Sequence, residues 1–266
     1  MTNWGAVSAI AESVSALGIG LVVFSLAEAR RSRGVSEVAA YNDTKARLDA
    51  QAPRIEVHVD PPTWPPLGGS PSGGTPQPWP PAHEWHFPRG KEHQLLLQTT
   101  VVVGNRSEST VRVTFEGDLW EADSPDGRPR AMRREMLLGP GERIGALLRG
   151  GVSVEQWAEI DAKVRAGEQL EPVVRATITA HDDADNGVVD VWRPWLTGTP
   201  ITEDPTRGSV WLLTPPPLFG GEHGEWCQQY DVQPVRRRSY WLSRKDGRLL
   251  PTSPERPAKW RPWIFR

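Results

Sequence analysis

The chain has 266 residues, a formal charge of −2 and a single cysteine, Cys227. One thiol excludes an intramolecular disulfide framework, and the length provides for one substantial core beside an anchor or linker. The near-neutral total hides an asymmetry: residues 233–266 carry ten Lys or Arg against two Asp or Glu, and the rest of the chain 21 against 31.

Residues 5–27 hold one charge, Glu12. A helix of that length spans about 34 Å, enough to cross a hydrocarbon core of about 30 Å with some tilt. Trp4 stands at its outer boundary, and Arg30, Arg31 and Arg33 follow it, with no Lys or Arg before it. The positive-inside rule then predicts a single-pass anchor in the cell membrane, N-terminus outside and the remaining domain cytoplasmic. A cleaved signal peptide carries its charges in the opposite order. Glu12, Ala16 and Gly20 share one helical face and predict a helix–helix contact within the lipid bilayer, a homo-oligomer being one way to make it.

Residues 1–34 are thus read as anchor and basic flank, and 35–53 as a juxtamembrane helix or stalk ending before Pro53. Ile55, Val57 and Val59 then alternate with polar residues, the period of a half-buried strand. Nine prolines fall in residues 61–81, which predicts a long Pro/Gly-rich loop, taken as 61–92.

An apolar strand is expected at Leu95–Val103, a polar turn at Asn105–Ser109 and an alternating strand at Val111–Phe115. Ser124-Pro-Asp-Gly127 predicts a turn, and Met136–Leu138 a short strand running into Gly139-Pro-Gly141. Ser153 and Gln156 have capping-box spacing ahead of a helix whose apolar positions are Val154, Trp157, Ile160 and Val164, closed by Gly167. Val174–Ile178 and Val188–Trp192 read as strands, the second entered through the hairpin signal Asn186-Gly187. Further strands are expected at Val210–Leu213, Tyr240–Ser243 and Arg248–Leu250.

Seven or more short strands separated by turn signals predict a mainly β fold: an N-terminal transmembrane helix, then a β-sandwich over 54–195 with one inserted helix. Residues 196–266 are expected to form a β-rich C-terminal extension with a basic, aromatic tail. The order of an apolar strand, the turn Asn105-Arg-Ser107, an alternating strand, Leu138-Gly-Pro-Gly-Glu142 and a hairpin through Asp182–Gly187 resembles the immunoglobulin-like domain of uncharacterised membrane-anchored bacterial proteins. That resemblance implies an immunoglobulin-like sandwich and no particular activity.

Motifs for chemistry are sparse. His83 and His86 lie three apart in a proline-rich segment, whereas a catalytic zinc helix needs two His four apart. His223 and Cys227 lack a second ligand pair. His181-Asp-Asp-Ala-Asp-Asn-Gly187 misses one ligand of a calcium loop and reads as a turn. No cofactor or metal site is expected.

Two features point to binding. Trp64 and Trp79 centre a near-repeat, Pro62-Thr-Trp-Pro-Pro66 and Pro78-Trp-Pro-Pro81, which suits either a docking strip or a loop strapped over the sandwich. Arg236, Arg237 and Arg238, with Trp260, Arg261 and Trp263 in the tail, interleave charge with aromatic rings. They suit an anionic membrane leaflet, an unidentified protein partner or an arm packed on the domain, with nucleic acid the less favoured partner. The expected function is a membrane-anchored, cytoplasm-facing binding or scaffold protein acting through protein–protein contacts. The alternatives are a membrane-tethered hydrolase or metal-dependent enzyme built from His83, His86 and His181, and nucleic-acid binding through the tail.

Overall fold

A computed structural model describes residues 25, 28–29, 31–69, 75–122, 130–168, 171–214, 228–230 and 236–252. All of the expected span 5–27 except Ser25 lies outside the described residues, as do the turn 124–127 and the tail 259–266. Among the described residues no helix is long and apolar enough to cross a membrane.

The first described element is a helix, α1, whose described residues are 25, 28–29 and 31–50. Arg33 and Glu37 pair one turn apart at 3.1 Å, a spacing that supports a solvated helix. Its buried stripe is thin: Leu48 is buried, Tyr41, Thr44 and Lys45 are half-buried, and Val35 and Val38 are exposed. Pro53 follows the last turn, where a helix is readily stopped.

Strands follow: β1 (Ile55–Val59), β2 (Leu67–Gly69), β3 (Gln77–Pro78), β4 (Glu84–His86), β5 (Gln94–Asn105) and β6 (Val111–Gly117). Next come β7 (Leu119–Glu121), β8 (Glu135–Leu138), β9 (Arg143–Ser153), helix α2 (Val154–Arg165), β10 (Val174–His181) and β11 (Gly187–Trp192). The remaining strands are β12 (Trp195–Thr197), β13 (Ile201–Glu203), β14 (Val210–Leu213), β15 (Gln228–Tyr230), β16 (Arg237–Ser243) and β17 (Arg248–Leu249).

The fold is mainly β, with sheets arranged as in a sandwich. One sheet runs β3-β2-β5-β9-β7, with β1 also on β5; the other runs β15-β12-β10-β11-β16-β17, with β6 joining β10 to β8. Alternation explains the core. Leu95, Leu97, Val101 and Val103 from β5 and Leu148 from β9 are fully buried, as are Val111 and Val113 from β6 and Ile178 from β10. All belong to one continuous apolar cluster, the product of period-2 patterning on two sheets. Buried Thr99 breaks the apolar row and donates its hydroxyl to the Asp60 carbonyl oxygen.

Two segments separated in sequence are joined by one side chain. Asn105, 1% exposed, donates through Nδ2 to the carbonyl oxygens of Ser109, Leu138 and Gly139 at 2.8, 2.9 and 3.1 Å. Its Oδ1 accepts the Ser107 N–H at 2.8 Å. The polar turn after β5 and the Gly-Pro-Gly turn before β9 are thereby one structure.

A third, small sheet of β13-β14-β4 carries α2. The expected capping box is present, with the Ser153 hydroxyl and the Gln156 side chain each accepting from the other's backbone N–H. Buried Trp157 donates its indole N–H to the Leu95 carbonyl oxygen at 2.9 Å, fixing α2 against β5.

Two readings of the sequence are revised by these elements. The proline-rich stretch is not wholly irregular, since β2 and β3 pair with each other and β2 extends the sheet beside β5. Residues 143–153, not anticipated as a strand, form the long partner of β5. Beyond residue 195, β16 pairs with β11 from Gly187↔Trp241 to Val191↔Arg237.

Candidate functional site

The most developed polar site lies where α1 meets the sandwich. In register with one another on adjacent strands, Asp190 of β11 and Arg238 of β16 form a two-point ion pair at 2.8 and 2.7 Å. The Asp190 side chain is only 2% exposed, so its charge must be matched at contact distance. Arg238 supplies that match, and its remaining nitrogen reaches Asp49 in the last turn of α1 at 2.7 Å. Tyr240 donates its hydroxyl to the same Asp49 carboxylate at 3.1 Å, and Lys45 lies 5.3 Å from the Tyr240 ring centre. The Asp190 carboxylate raises the Arg238 pKa still further, and desolvation, with Asp49 second, raises that of Tyr240. These contacts fasten the helix to the sheet.

Beside this clamp opens a cleft of about 520 Å³ lined by four arginines, Arg54, Arg106, Arg236 and Arg238, and by Asp49 and Glu56. The local chain path explains the grouping. Pro53 ends α1 and directs the chain into β1, while the Arg106 N–H donates to the Arg54 carbonyl oxygen at 2.7 Å and brings the turn after β5 alongside. Glu56 is taken by Arg106, whose Nε and Nη2 lie 2.9 and 2.8 Å from one oxygen. Arg236 lies 3.5 Å from Asp190, which Arg238 already holds at both oxygens. Among the described residues the Arg54 guanidinium has no hydrogen-bond or ion-pair partner.

The proline-rich segment makes a second cluster. Trp79 stacks tilted on His83 and His93, with ring centres 4.6 and 5.5 Å apart, and meets Trp85 edge-on at 5.1 Å. A Cβ at Gly68 would lie 3.1 Å from the Trp79 ring, so glycine admits the ring against β2. Burial, and secondarily the charge of His93, lower the pKa of His83.

Of the residues picked from sequence, Trp64 and Trp79 are half-buried against the core. Arg238 is committed to the clamp, Arg236 faces the cleft and Arg237 is exposed. Glu12, Ala16, Gly20, Trp260, Arg261 and Trp263 lie outside the described residues. His83 sits in the Trp cluster, His86 lies 3.3 Å from Glu84, and His181 at the end of β10 contacts the carbonyl oxygen of Asp182, the next residue. Among the described residues no three His, Cys, Asp or Glu are grouped to hold a metal ion.

Sequence reading missed Asp49, Arg54, Arg106 and Asp190. Asp190 did carry a signal: it occupies the inward phase of a strand between Val188 and Trp192, where a carboxylate demands a cation. Arg54 and Arg106 lie in turns, and nothing periodic announces their meeting. No family model, curated protein or solved structure matches this chain.

Proposed function

We propose that the chain is a membrane-anchored binding or scaffold protein whose immunoglobulin-like sandwich faces the cytoplasm and acts through contact with a protein partner. The observation that carries this reading is the clamp at the foot of α1. Residues 31–50 of that helix alone span about 30 Å, and Arg238 and Tyr240 fix its last turn to the sheet through Asp49. Whatever holds the residues before α1 therefore holds the sandwich at a set distance.

The single charge in residues 5–27 and the arginines at 30, 31 and 33 supply that hold as an N-out, C-in anchor. The immunoglobulin-like reading is supported by the strand order, in which β1-β5-β9-β7 faces β8-β6-β10-β11, and by the Asn105 link between the two turns that suggested it. Two experiments test the proposal. Alkaline carbonate should leave the full chain in the membrane pellet, and release of the intact chain would sink the anchor. Affinity purification from detergent-solubilised membranes should recover a protein partner that a chain lacking 1–34 fails to reach in cells.

A further inference from the structure

We propose that the arginine cleft at the foot of α1 is a binding site for phosphate carried on a small soluble molecule, with Arg54 and Arg236 as the recognising residues. The argument starts from charge. Four guanidinium groups line or border the cleft against three carboxylates, counting buried Asp190 behind it. All three carboxylates are already engaged: Asp49 by Arg238 and Tyr240, Glu56 by Arg106, and Asp190 by both oxygens on Arg238. Arg238 has all three of its nitrogens bound within the protein. The donors left over belong to Arg54, which has no side-chain partner among the described residues, and to Arg236, whose one contact is the 3.5 Å approach to Asp190.

Arg54 and Arg236 are both exposed and line one cavity, with no carboxylate of the cleft left to spare for them. A tetrahedral dianion accepts forked pairs of hydrogen bonds, geometry that suits arginine better than lysine. The volume, about 520 Å³, holds a phosphate together with a small polar body. Because the walls are polar and charged, an apolar ligand would bury donors unpaired. The last turn of α1 opposes an anion through the negative end of the helix dipole, yet the clamped Arg238 stands between Asp49 of that turn and the sheet.

The test uses the full chain in detergent, titrated with inorganic phosphate and with glycerol 3-phosphate at constant ionic strength against chloride. A saturable rise in melting temperature is expected with both phosphates, with Kd weakened at least tenfold in Arg54→Ala and in Arg236→Ala. Arg237→Ala, on the exposed neighbour, should bind as the unaltered chain does. Circular dichroism and the ligand-free melting temperature confirm that each variant is folded. A shift no larger than chloride gives, or equal binding by the Arg54 and Arg236 variants, overturns the site. Capture by phosphatidic-acid vesicles with no response to glycerol 3-phosphate overturns the assignment to a soluble ligand.

Discussion

Asp190 and Arg238 stand opposite one another on adjacent strands and share two hydrogen bonds, and the same arginine reaches Asp49 of α1 at 2.7 Å. The pair therefore does two jobs, neutralising a buried carboxylate and fastening a helix. The two partners of Arg238 should differ in weight. Asp190→Asn removes the buried countercharge of Arg238, turns one of its three acceptors into an N–H donor, and should cost about 3 kcal/mol. Asp49 is 38% exposed, and Asp49→Asn should cost about 1 kcal/mol or less. Urea unfolding followed by Trp fluorescence measures both. Equal losses would mean that the helix, not the buried charge, is what Arg238 chiefly supports.

Asn105 should be the most sensitive polar residue outside that clamp. Asn105→Ala abandons three carbonyl oxygens and the Ser107 N–H in a site 1% exposed, a loss of about 3 kcal/mol. Asn105→Asp keeps the acceptor for Ser107 but turns an oxygen toward the carbonyls. Its loss should shrink as pH falls and the new carboxyl gains a proton it can donate. A pH-independent defect would argue that side-chain volume, and not the donor, matters here.

The alternating strands were legible because one face of each is buried: β1, β6, β10 and β11 follow from Val57, Val113, Ile178 and Val188 in phase with their neighbours. The cap of α2 was legible because Ser153 and Gln156 act locally. What sequence did not reveal depends on partners far along the chain. β9 contains Gly145, Gly150 and Gly151, residues that weaken a strand by propensity, and its reason is tertiary. A Cβ at Gly151 would lie 2.1 Å from the Leu95 carbonyl oxygen. The cleft was hidden for the same reason, since Arg54, Arg106 and Arg236 come from three distant segments.

Gly151→Ala should accordingly lose about 3 kcal/mol or more, because backbone atoms and not a flexible side chain block the added carbon. Gly141 makes the control. Its φ is +75° but nothing lies within 4 Å of an added Cβ, so Gly141→Ala pays only backbone strain of about 1 kcal/mol. Comparing the two urea midpoints separates close approach from backbone conformation. A Gly141 defect as large as that of Gly151 would contradict the assignment.

Stability should fall on mild acidification, and His83 should be a source of that fall. Burial, then the charge of His93, hold its pKa below the usual 6.5. The unfolded chain thus takes up the proton first as pH drops. The contribution of the neutral folded ring is full above about pH 6.5 and is lost as pH falls from there through the lowered folded value. Glu84, lowered chiefly by its hydrogen bond from Arg207, and Asp204, lowered chiefly by the Thr206 hydroxyl, act in a more acidic window. Their stabilisation is present above the ordinary carboxylate pKa near 4 and goes only below it. Urea midpoints at pH 7.5 and 5.5 should differ for the unaltered chain, and His83→Gln should flatten that difference. An undiminished slope in the variant would assign the titration to another group and leave the Trp79–His83 stack a packing contact alone.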